Sequence, residues 1–120
     1  MISFVILHYQ AVDETISCIE TIIEKVSGNK KVIVVDNGSP NGTGKLLQEK
    51  YKGFDCVCVV STKKNLGFAK GNNIGFQEAK KDNPDFIVVM NNDVFLKQDD
   101  FTDTRHSSPH APRLTGAFKY

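Results

Sequence analysis

The sequence predicts an α/β fold: a three-layer, doubly wound and mainly parallel sheet of the Rossmann-like kind, with helices on both faces. Apolar runs of strand length alternate with helical segments through most of the 120 residues. Within these runs, consecutive rather than alternate positions are apolar, which is typical of strands buried on both faces. Strands linked by helical crossovers form right-handed βαβ units, so the alternation itself predicts a parallel sheet.

The first strand is predicted at residues 3–9 (SFVILHY), a short run rich in β-forming residues. A helix follows it, because apolar side chains recur at steps of three and four. These side chains are Val12, Ile16, Ile19, Ile22, Ile23 and Val26. Asp13 is the expected N-cap of this helix, and Gly28 with Asn29 is expected to end it in a left-handed conformation.

Three more strands and two more helices complete the alternation. The strands are predicted at residues 31–36 (KVIVVD), 54–60 (FDCVCVV) and 85–90 (DFIVVM). The helices between them are predicted at residues 45–52 and 67–81. Gly67, Gly71 and Gly75 fall four residues apart in the second of these helices, and they give it a smooth side that another backbone or a ligand can approach closely.

Two regions are predicted from this pattern. Residues 1–96 carry the alternation, whereas residues 97–120 form an irregular tail with two prolines and a short late strand near 114–120. A sheet of this size buries comparatively little surface. We therefore expect the chain to associate with a partner, as in a homodimer.

Composition and charge exclude several classes of protein. Fifteen basic and fourteen acidic residues leave a net charge of +1, so there is no basic field for nucleic acid. The apolar runs are far shorter than the roughly 20 residues that span a bilayer, so no transmembrane segment is expected. No signal peptide opens the chain, and three cysteines cannot close a disulfide framework, which indicates a reduced, cytoplasmic protein.

Candidate binding residues are expected where strands end, because open α/β sheets bind ligands beyond the carboxyl ends of their strands. Neither the Walker A loop nor the dinucleotide glycine motif is present. Asp36, which ends the second strand, has two interpretations: it caps the following turn, or it accepts a hydrogen bond from a nucleobase or a ribose. Asp93, which follows the fourth strand, is either a turn residue or an oxygen ligand for a cation that carries a diphosphate.

The histidine and cysteine residues offer little further chemistry. His8 lies on an apolar strand and is interpreted as a hydrogen-bonded core histidine in preference to a catalyst. Cys18, Cys56 and Cys58 are interpreted as small hydrophobic residues, and the last two are predicted to share one face of their strand.

Four sequence blocks, in order, resemble the inverting GT-A glycosyltransferases of family 2, and in particular their rhamnosyltransferase-like group. The blocks are VILHYQ, VIVVDNGSPNGT, NLGFAKGNNIGF and FIVVMNNDVFL. The second and third are the most specific, and the four together cover residues 2–96. The resemblance implies that residues 1–96 form a nucleotide-sugar-binding half-domain of the GT-A type.

The resemblance also implies roles for particular residues in binding a nucleotide sugar. Tyr9 matches a tyrosine that flanks the nucleobase, Gln10 replaces the family's asparagine, and Asp36 matches an aspartate that reads a pyrimidine base. Further donor contacts are expected from Asn37, Gly67, Lys70 and Asn73.

A DxD-like metal motif is implied at the end of the fourth strand. Asn91, Asn92 and Asp93 match it, with an asparagine in place of the first aspartate. Asp93 would then bind Mg²⁺ or Mn²⁺, the divalent cofactor that bridges the diphosphate of the donor.

The implied reaction transfers a sugar from a UDP- or dTDP-sugar to a saccharide acceptor in cell-surface polysaccharide synthesis, at the inner face of the membrane. The acceptor hydroxyl attacks the anomeric carbon while the metal stabilises the departing diphosphate. In this family the general base and the acceptor site follow the metal motif, where this sequence has its irregular tail. The catalytic base is therefore unassigned, and we expect a truncated protein that does not bind the acceptor by itself.

Two alternatives compete with an active transferase. One is a non-catalytic remnant that holds a nucleotide or only self-associates. The other is a sugar-nucleotide pyrophosphorylase, which would need a glycine-rich loop with an arginine after the first strand. Residues 8–15 (HYQAVDET) contain no such loop, so the second alternative is set aside.

Overall fold

A computed structural model describes residues 1–91 and 114–119, which form a five-stranded sheet with helices on both faces. The strands are β1 (Ile2–His8), β2 (Lys30–Asp36), β3 (Val57–Ser61), β4 (Phe86–Asn91) and β5 (Leu114–Lys119). The helices are α1 (Val12–Lys25), α2 (Thr43–Lys50) and α3 (Phe68–Lys80). The predicted α/β class and the predicted late strand are both confirmed.

The strand order is β3-β2-β1-β4-β5, with the first four strands parallel and β5 antiparallel to β4. The chain therefore runs outward from β1 to β3 and then crosses back to add β4 on the other side of β1. This reversal creates the switch point at which doubly wound sheets bind ligands.

The face of the sheet that α1 and α2 cover contains the larger hydrophobic core. Ile19 and Ile22 of α1 and Leu47 of α2 are fully buried there. Their partners on the sheet include Phe4 and Ile6 of β1. Consecutive residues of the central strands are buried on alternate faces, which explains why these strands are apolar throughout.

The opposite face is covered by α3, whose glycines lie directly on the sheet. A Cβ atom added to Gly75 would lie 2.3 Å from Val5 Cγ1, and one added to Gly71 would lie 2.5 Å from Leu7 Cδ1. The smooth side predicted for this helix is thus a contact with the sheet. Gly67 is not part of it, because it precedes the helix and would meet no atom within 4 Å.

The first helix differs from its predicted ends. Ala11, not Asp13, occupies the N-cap position, and no side chain caps the helix there. Asp13 lies in the first turn, where a carboxylate interacts favourably with the helix dipole. The helix ends at Lys25, and Gly28 adopts its positive φ of 85° in the loop that follows.

The third strand begins later than predicted, at Val57. Cys56 precedes the strand and packs against the core under α1 and α2, whereas Cys58 packs against the core under α3. The prediction that these two cysteines share one face was therefore wrong. The cause is the register: Cys58 pairs with Ile33 and so lies on the α3 face, while Cys56 lies outside the regular strand.

Candidate functional site

The carboxyl ends of the parallel strands form one rim of the sheet. His8, the last residue of β1, is in register with Asp36 of β2, which is in register with Ser61 of β3. On the other side, Asn91 of β4 is in register with Leu7 of β1. The predicted strand ends thus lie side by side. Asn92 and Asp93, predicted for the metal motif, lie outside the described residues.

Asp36 is nearly buried at this rim, with 6% of its surface exposed. Its Oδ1 accepts a hydrogen bond of 3.1 Å from the backbone N–H of Ser39. Its Oδ2 lies against the first turn of α2, since a Cβ added to Gly44 would fall 1.7 Å from it. The turn-capping contact predicted for Asp36 is therefore present, and it holds the carboxylate in a fixed position.

Asn37 connects the end of β2 to the loop that precedes α3. Its Nδ2 donates to Asn65 Oδ1 at 3.1 Å and to the Gly67 carbonyl at 3.2 Å. Its Oδ1 accepts from the Leu66 N–H at 3.0 Å. Both ends of this buried amide are thus engaged within the protein, so Asn37 fixes the loop at residues 62–67. The structure brings Asn37 and Gly67, two predicted site residues, into direct contact.

Gly38 is the point at which the two loops touch. It has a φ of +74°, and a Cβ added there would lie 2.3 Å from the Lys64 carbonyl carbon. Because the neighbouring atoms belong to the backbone, no side chain fits between the loops. Thr62 adds a hydrogen bond from its N–H to the Asp36 carbonyl at 2.9 Å. The loop before α3 therefore rests on the turn after β2.

Tyr9 and Gln10 follow β1 at the same rim. Tyr9 is 41% exposed, so its ring is available to a ligand. Gln10 has a φ of 64°, a left-handed conformation in which asparagine is several-fold enriched over other non-glycine residues. Gln10 lacks this preference and holds the left-handed conformation with some strain.

Sequence reasoning missed the roles of Ser39 and Asn41 in the loop after β2. The N–H of Gln10 donates to Ser39 Oγ at 2.9 Å. The carbonyl of Gln10 accepts from Asn41 Nδ2 at 3.1 Å. Small polar residues of this kind are common in any turn, so their bonds to Gln10, 29 and 31 positions away, had no local signal.

His8 is fully buried between the sheet and the two helices. Its Nδ1 lies 2.7 Å from Thr15 Oγ1, and its Nε2 lies 2.8 Å from Thr43 Oγ1. Burial lowers the pKa of His8, although the Asp36 carboxylate nearby acts in the opposite direction. The interpretation of His8 as a hydrogen-bonded core histidine is confirmed, and the imidazole is neutral at pH 7.

The remaining predicted residues lie on or before α3. Gly67 precedes the helix with a φ of 87°, and Lys70 and Asn73 are both exposed. Gly71 faces the sheet, and at 100° per residue Asn73 falls on the opposite, outer side of the helix. Its neighbour Asn72 turns inward instead, and the buried Oδ1 of Asn72 has no hydrogen-bond partner within the described part of the chain.

Two classes of feature are missing from the described residues. Within residues 1–91 and 114–119, there is no group of three or more His, Cys, Asp or Glu side chains that could hold a metal ion. Over the same residues, every helix is too short or too polar to serve as a membrane span.

Comparison with known proteins identifies relatives of this chain. The family model described as Glycosyl transferase family 2 matches residues 3–104. Glycosyltransferase GlyG of Streptococcus pneumoniae serotype 4 is 26% identical over 98 residues, which are 82% of this chain and 32% of GlyG. The chain thus spans about a third of the length of the curated relative that it matches.

Solved structures share the fold. TarS 1–349 of S. aureus has a TM-score of 0.72 at 19% identity, over 87% of this chain and 31% of TarS. GalNAc-T7 with UDP, GalNAc and Mn²⁺ has a TM-score of 0.75 at 16% identity, over 84% and 19% of the two chains. The mannosyltransferase PcManGT of Pyrobaculum calidifontis, in complex with GDP-Man and Mn²⁺, has a TM-score of 0.66 at 16% identity, over 82% and 29%.

Proposed function

This chain belongs to glycosyl transferase family 2, and on that premise we propose that its rim at the ends of β1 and β2 binds the nucleotide of a sugar donor. One observation carries the proposal: the exposed Tyr9 directly follows His8, which is in register with Asp36, so an aromatic side chain and a fixed, nearly buried carboxylate belong to neighbouring strand ends. An aromatic face and a single acceptor are the groups that a nucleobase needs for stacking and for one N–H hydrogen bond. Similar structures contain UDP, UDP-GlcNAc or GDP-Man.

The donor's diphosphate and sugar lie, in this proposal, between α3 and the end of β4. Lys70 on the first turn of α3 would meet a phosphate, with Gly67 beside the same ligand. Asn73 lies on the outer side of the helix, so its donor contact is proposed from the resemblance alone. Asn37 contributes by holding the loop rather than by direct contact, since both ends of its amide are engaged.

Asn91, Asn92 and Asp93 would hold the divalent cation. β4 ends at Asn91, next to β1 at the rim. One carboxylate and two amide side chains supply oxygen donors, which suit Mg²⁺ or Mn²⁺ with the remaining positions filled by phosphate and water. When bound, the cation supplies Lewis-acid stabilisation of the departing diphosphate.

The complete reaction is a displacement at the anomeric carbon of the sugar. It needs a base that takes the proton of the acceptor hydroxyl, and by resemblance that base and the acceptor site follow residues 1–96. We propose UDP or dTDP as the nucleotide, a rhamnosyltransferase-like specificity and a role in cell-surface polysaccharide synthesis at the cytoplasmic face of the membrane. A homodimer remains a prediction that sedimentation velocity tests.

The proposed function is tested by calorimetric titration of UDP, dTDP and GDP into the chain, with and without Mn²⁺. We expect one pyrimidine diphosphate to bind in a metal-dependent manner, and Asp93→Ala to remove the metal dependence. Asp55→Ala, an exposed carboxylate in the loop before β3, is the control. Absence of binding by every nucleotide would favour the non-catalytic remnant instead.

A pair of variants separates the two roles of Asp36. Asp36→Asn retains an oxygen that accepts from the Ser39 N–H, but it presents an amide N–H₂ where a base N–H would need an acceptor. Asp36→Ala removes both contacts. If Asp36 only caps the turn, Asp36→Asn will bind nucleotide like the unaltered chain; if it reads the base, both variants will bind it weakly.

A further inference from the structure

A continuous series of hydrogen bonds leads from the ring of His8 into the loop after β2. His8 Nε2 lies 2.8 Å from Thr43 Oγ1, and this hydroxyl donates to Asn41 Oδ1 at 2.7 Å. Asn41 Nδ2 donates in turn to the carbonyl of Gln10 at 3.1 Å. The side chain of Thr43, at the start of α2, is thereby tied to the residue with the strained left-handed backbone.

The series continues to the carboxylate of Asp36. The N–H of Gln10 donates to Ser39 Oγ at 2.9 Å, and the N–H of Ser39 donates to Asp36 Oδ1 at 3.1 Å. The N–H of Asn37, the residue after Asp36, donates to the His8 carbonyl at 2.8 Å, so the backbone closes the series at the residue where it started. A closed hydrogen-bonded ring therefore surrounds the ends of β1 and β2.

The second ring nitrogen of His8, Nδ1, contacts α1 instead. Nδ1 lies 2.7 Å from Thr15 Oγ1, and that hydroxyl also lies 3.1 Å from the Ala11 carbonyl within α1. A neutral imidazole carries one N–H, and the short bond from Thr43 to Asn41 uses the Thr43 proton. This assigns the N–H to Nε2, which donates to Thr43. Nδ1 then accepts the single Thr15 proton over 2.7 Å, the shorter of the two contacts that Thr15 Oγ1 makes. Nε2 is thus part of the hydrogen-bonded ring at the strand ends, whereas Nδ1 contacts α1.

We propose that His8 is a positioning residue for Asp36: its Nε2–H holds Thr43, and through the ring it fixes the carboxylate at the orientation that nucleotide binding uses. The inference rests on the proposed function for its consequence in binding. It does not require His8 to touch the ligand, because His8 is fully buried. This role depends on the contact of Nε2 with Thr43 and not on the contact of Nδ1 with Thr15.

Two matched substitutions test this asymmetry. Thr43→Val and Thr15→Val each replace a hydroxyl that contacts His8 with a methyl group of similar volume. Both leave a nitrogen of the same buried imidazole without its partner, but only Thr43→Val opens the ring. We expect amide hydrogen exchange at Gln10 and Ser39, followed by NMR without nucleotide, to quicken about five- to tenfold in Thr43→Val. In Thr15→Val it should stay unchanged.

Substitution of His8 itself provides a rescue. The amide of His8→Gln reaches toward the place of Nε2, and that of His8→Asn toward the place of Nδ1. We expect His8→Gln to restore protection at Gln10 and Ser39 and His8→Asn to lose it. Affinity for UDP, dTDP and GDP with Mn²⁺, titrated into all four variants, should follow the same order, with about a five- to tenfold loss where the ring is open.

The outcomes separate the two proposals. Equal effects of Thr43→Val and Thr15→Val, or of His8→Gln and His8→Asn, would overturn the positioning role. If either His8 variant fails to fold, the threonine pair decides. A clear difference in exchange, in a chain that binds none of the three nucleotides, would overturn the proposed function while the positioning of Asp36 stands.

Discussion

The two helical layers of this protein hold the same sheet by different means. Under α1 and α2 the sheet is covered by bulky side chains such as Ile22 and Leu47, which are fully buried. Under α3 it is covered by Gly71 and Gly75, whose missing side chains let the helix lie on the strands. On the first face, side-chain volume sets the separation of the layers; on the second, backbone contact sets it. The second arrangement brings the start of α3 within hydrogen-bonding distance of the turn after β2.

The largest effect is expected where volume is removed from the bulky layer. Ile22→Ala should lower the free energy of unfolding by about 2–5 kcal/mol, because it leaves a cavity in the core under α1. Ile23, the next residue, is only half-buried and serves as the control, so Ile23→Ala should cost clearly less. Urea unfolding measures both. Equal losses would mean that α1 is not packed through the face described.

The next largest effect on stability is expected where a side chain is added between α3 and the sheet. Gly75→Ala should destabilise the protein by about 1–3 kcal/mol, because the new methyl group meets Val5 and Val35. Gly53→Ala is the control, since a Cβ there meets nothing within 4 Å. A fully stable Gly75→Ala protein would contradict the direct contact of α3 with the sheet, and with it the contrast between the layers.

His8 is a titratable side chain buried under α1 and α2, and it predicts a dependence of stability on pH. Its pKa in the folded protein is lowered from 6.5, so the unfolded chain binds the proton more readily. Stability should therefore be complete above pH 6.5 and fall as the pH decreases from there toward the lowered value. Urea unfolding from pH 7.5 to pH 5 measures this loss of stability. The part of the loss that disappears in His8→Gln is due to the titration of His8.

The smallest effect is expected at the rim, where neither layer dominates. Gln10→Asn should raise the free energy of unfolding by up to about 1 kcal/mol, since asparagine tolerates the left-handed backbone at φ 64°. The backbone contacts of Gln10 do not depend on its side chain. Gln77→Asn on the exposed side of α3 is the matched control and should be neutral or slightly destabilising. If Gln77→Asn also stabilises the protein, the gain in Gln10→Asn cannot be attributed to the left-handed backbone at residue 10.

Much of the fold followed from the sequence because its cause is local and repeated. Consecutive apolar residues marked each buried strand, and the helical period marked α1. The ends of elements were less predictable, since they depend on contacts with distant residues. Cys56 shows this: its composition suits a strand, but the register of Val57 against Val32 excludes it from the regular pairing.

The candidate site was predictable in its position but not in its internal connections. The strand ends identified Tyr9 and Asp36 at the rim. They could not show that Asn37 is fully engaged with residues 65–67, nor that Ser39 and Asn41 reach back to Gln10. Such side-chain to backbone bonds join segments far apart in sequence, and a single amide or hydroxyl carries no sign of its partner. The roles of Lys70, Asn73 and Asp93 stay predictions.

The central place of β1 also has a consequence for the order of assembly during folding. Ile2 pairs with Lys30 on one side and with Phe86 on the other. The entropy lost on closing a loop grows with its length, so the pairing of β1 with β2 is the less costly of the two. We expect the transition state for folding to contain β1, α1 and β2, with β4 added late together with α3. The part of the rim that we propose binds the nucleobase would then exist before the strand that leads to Asp93 arrives beside it.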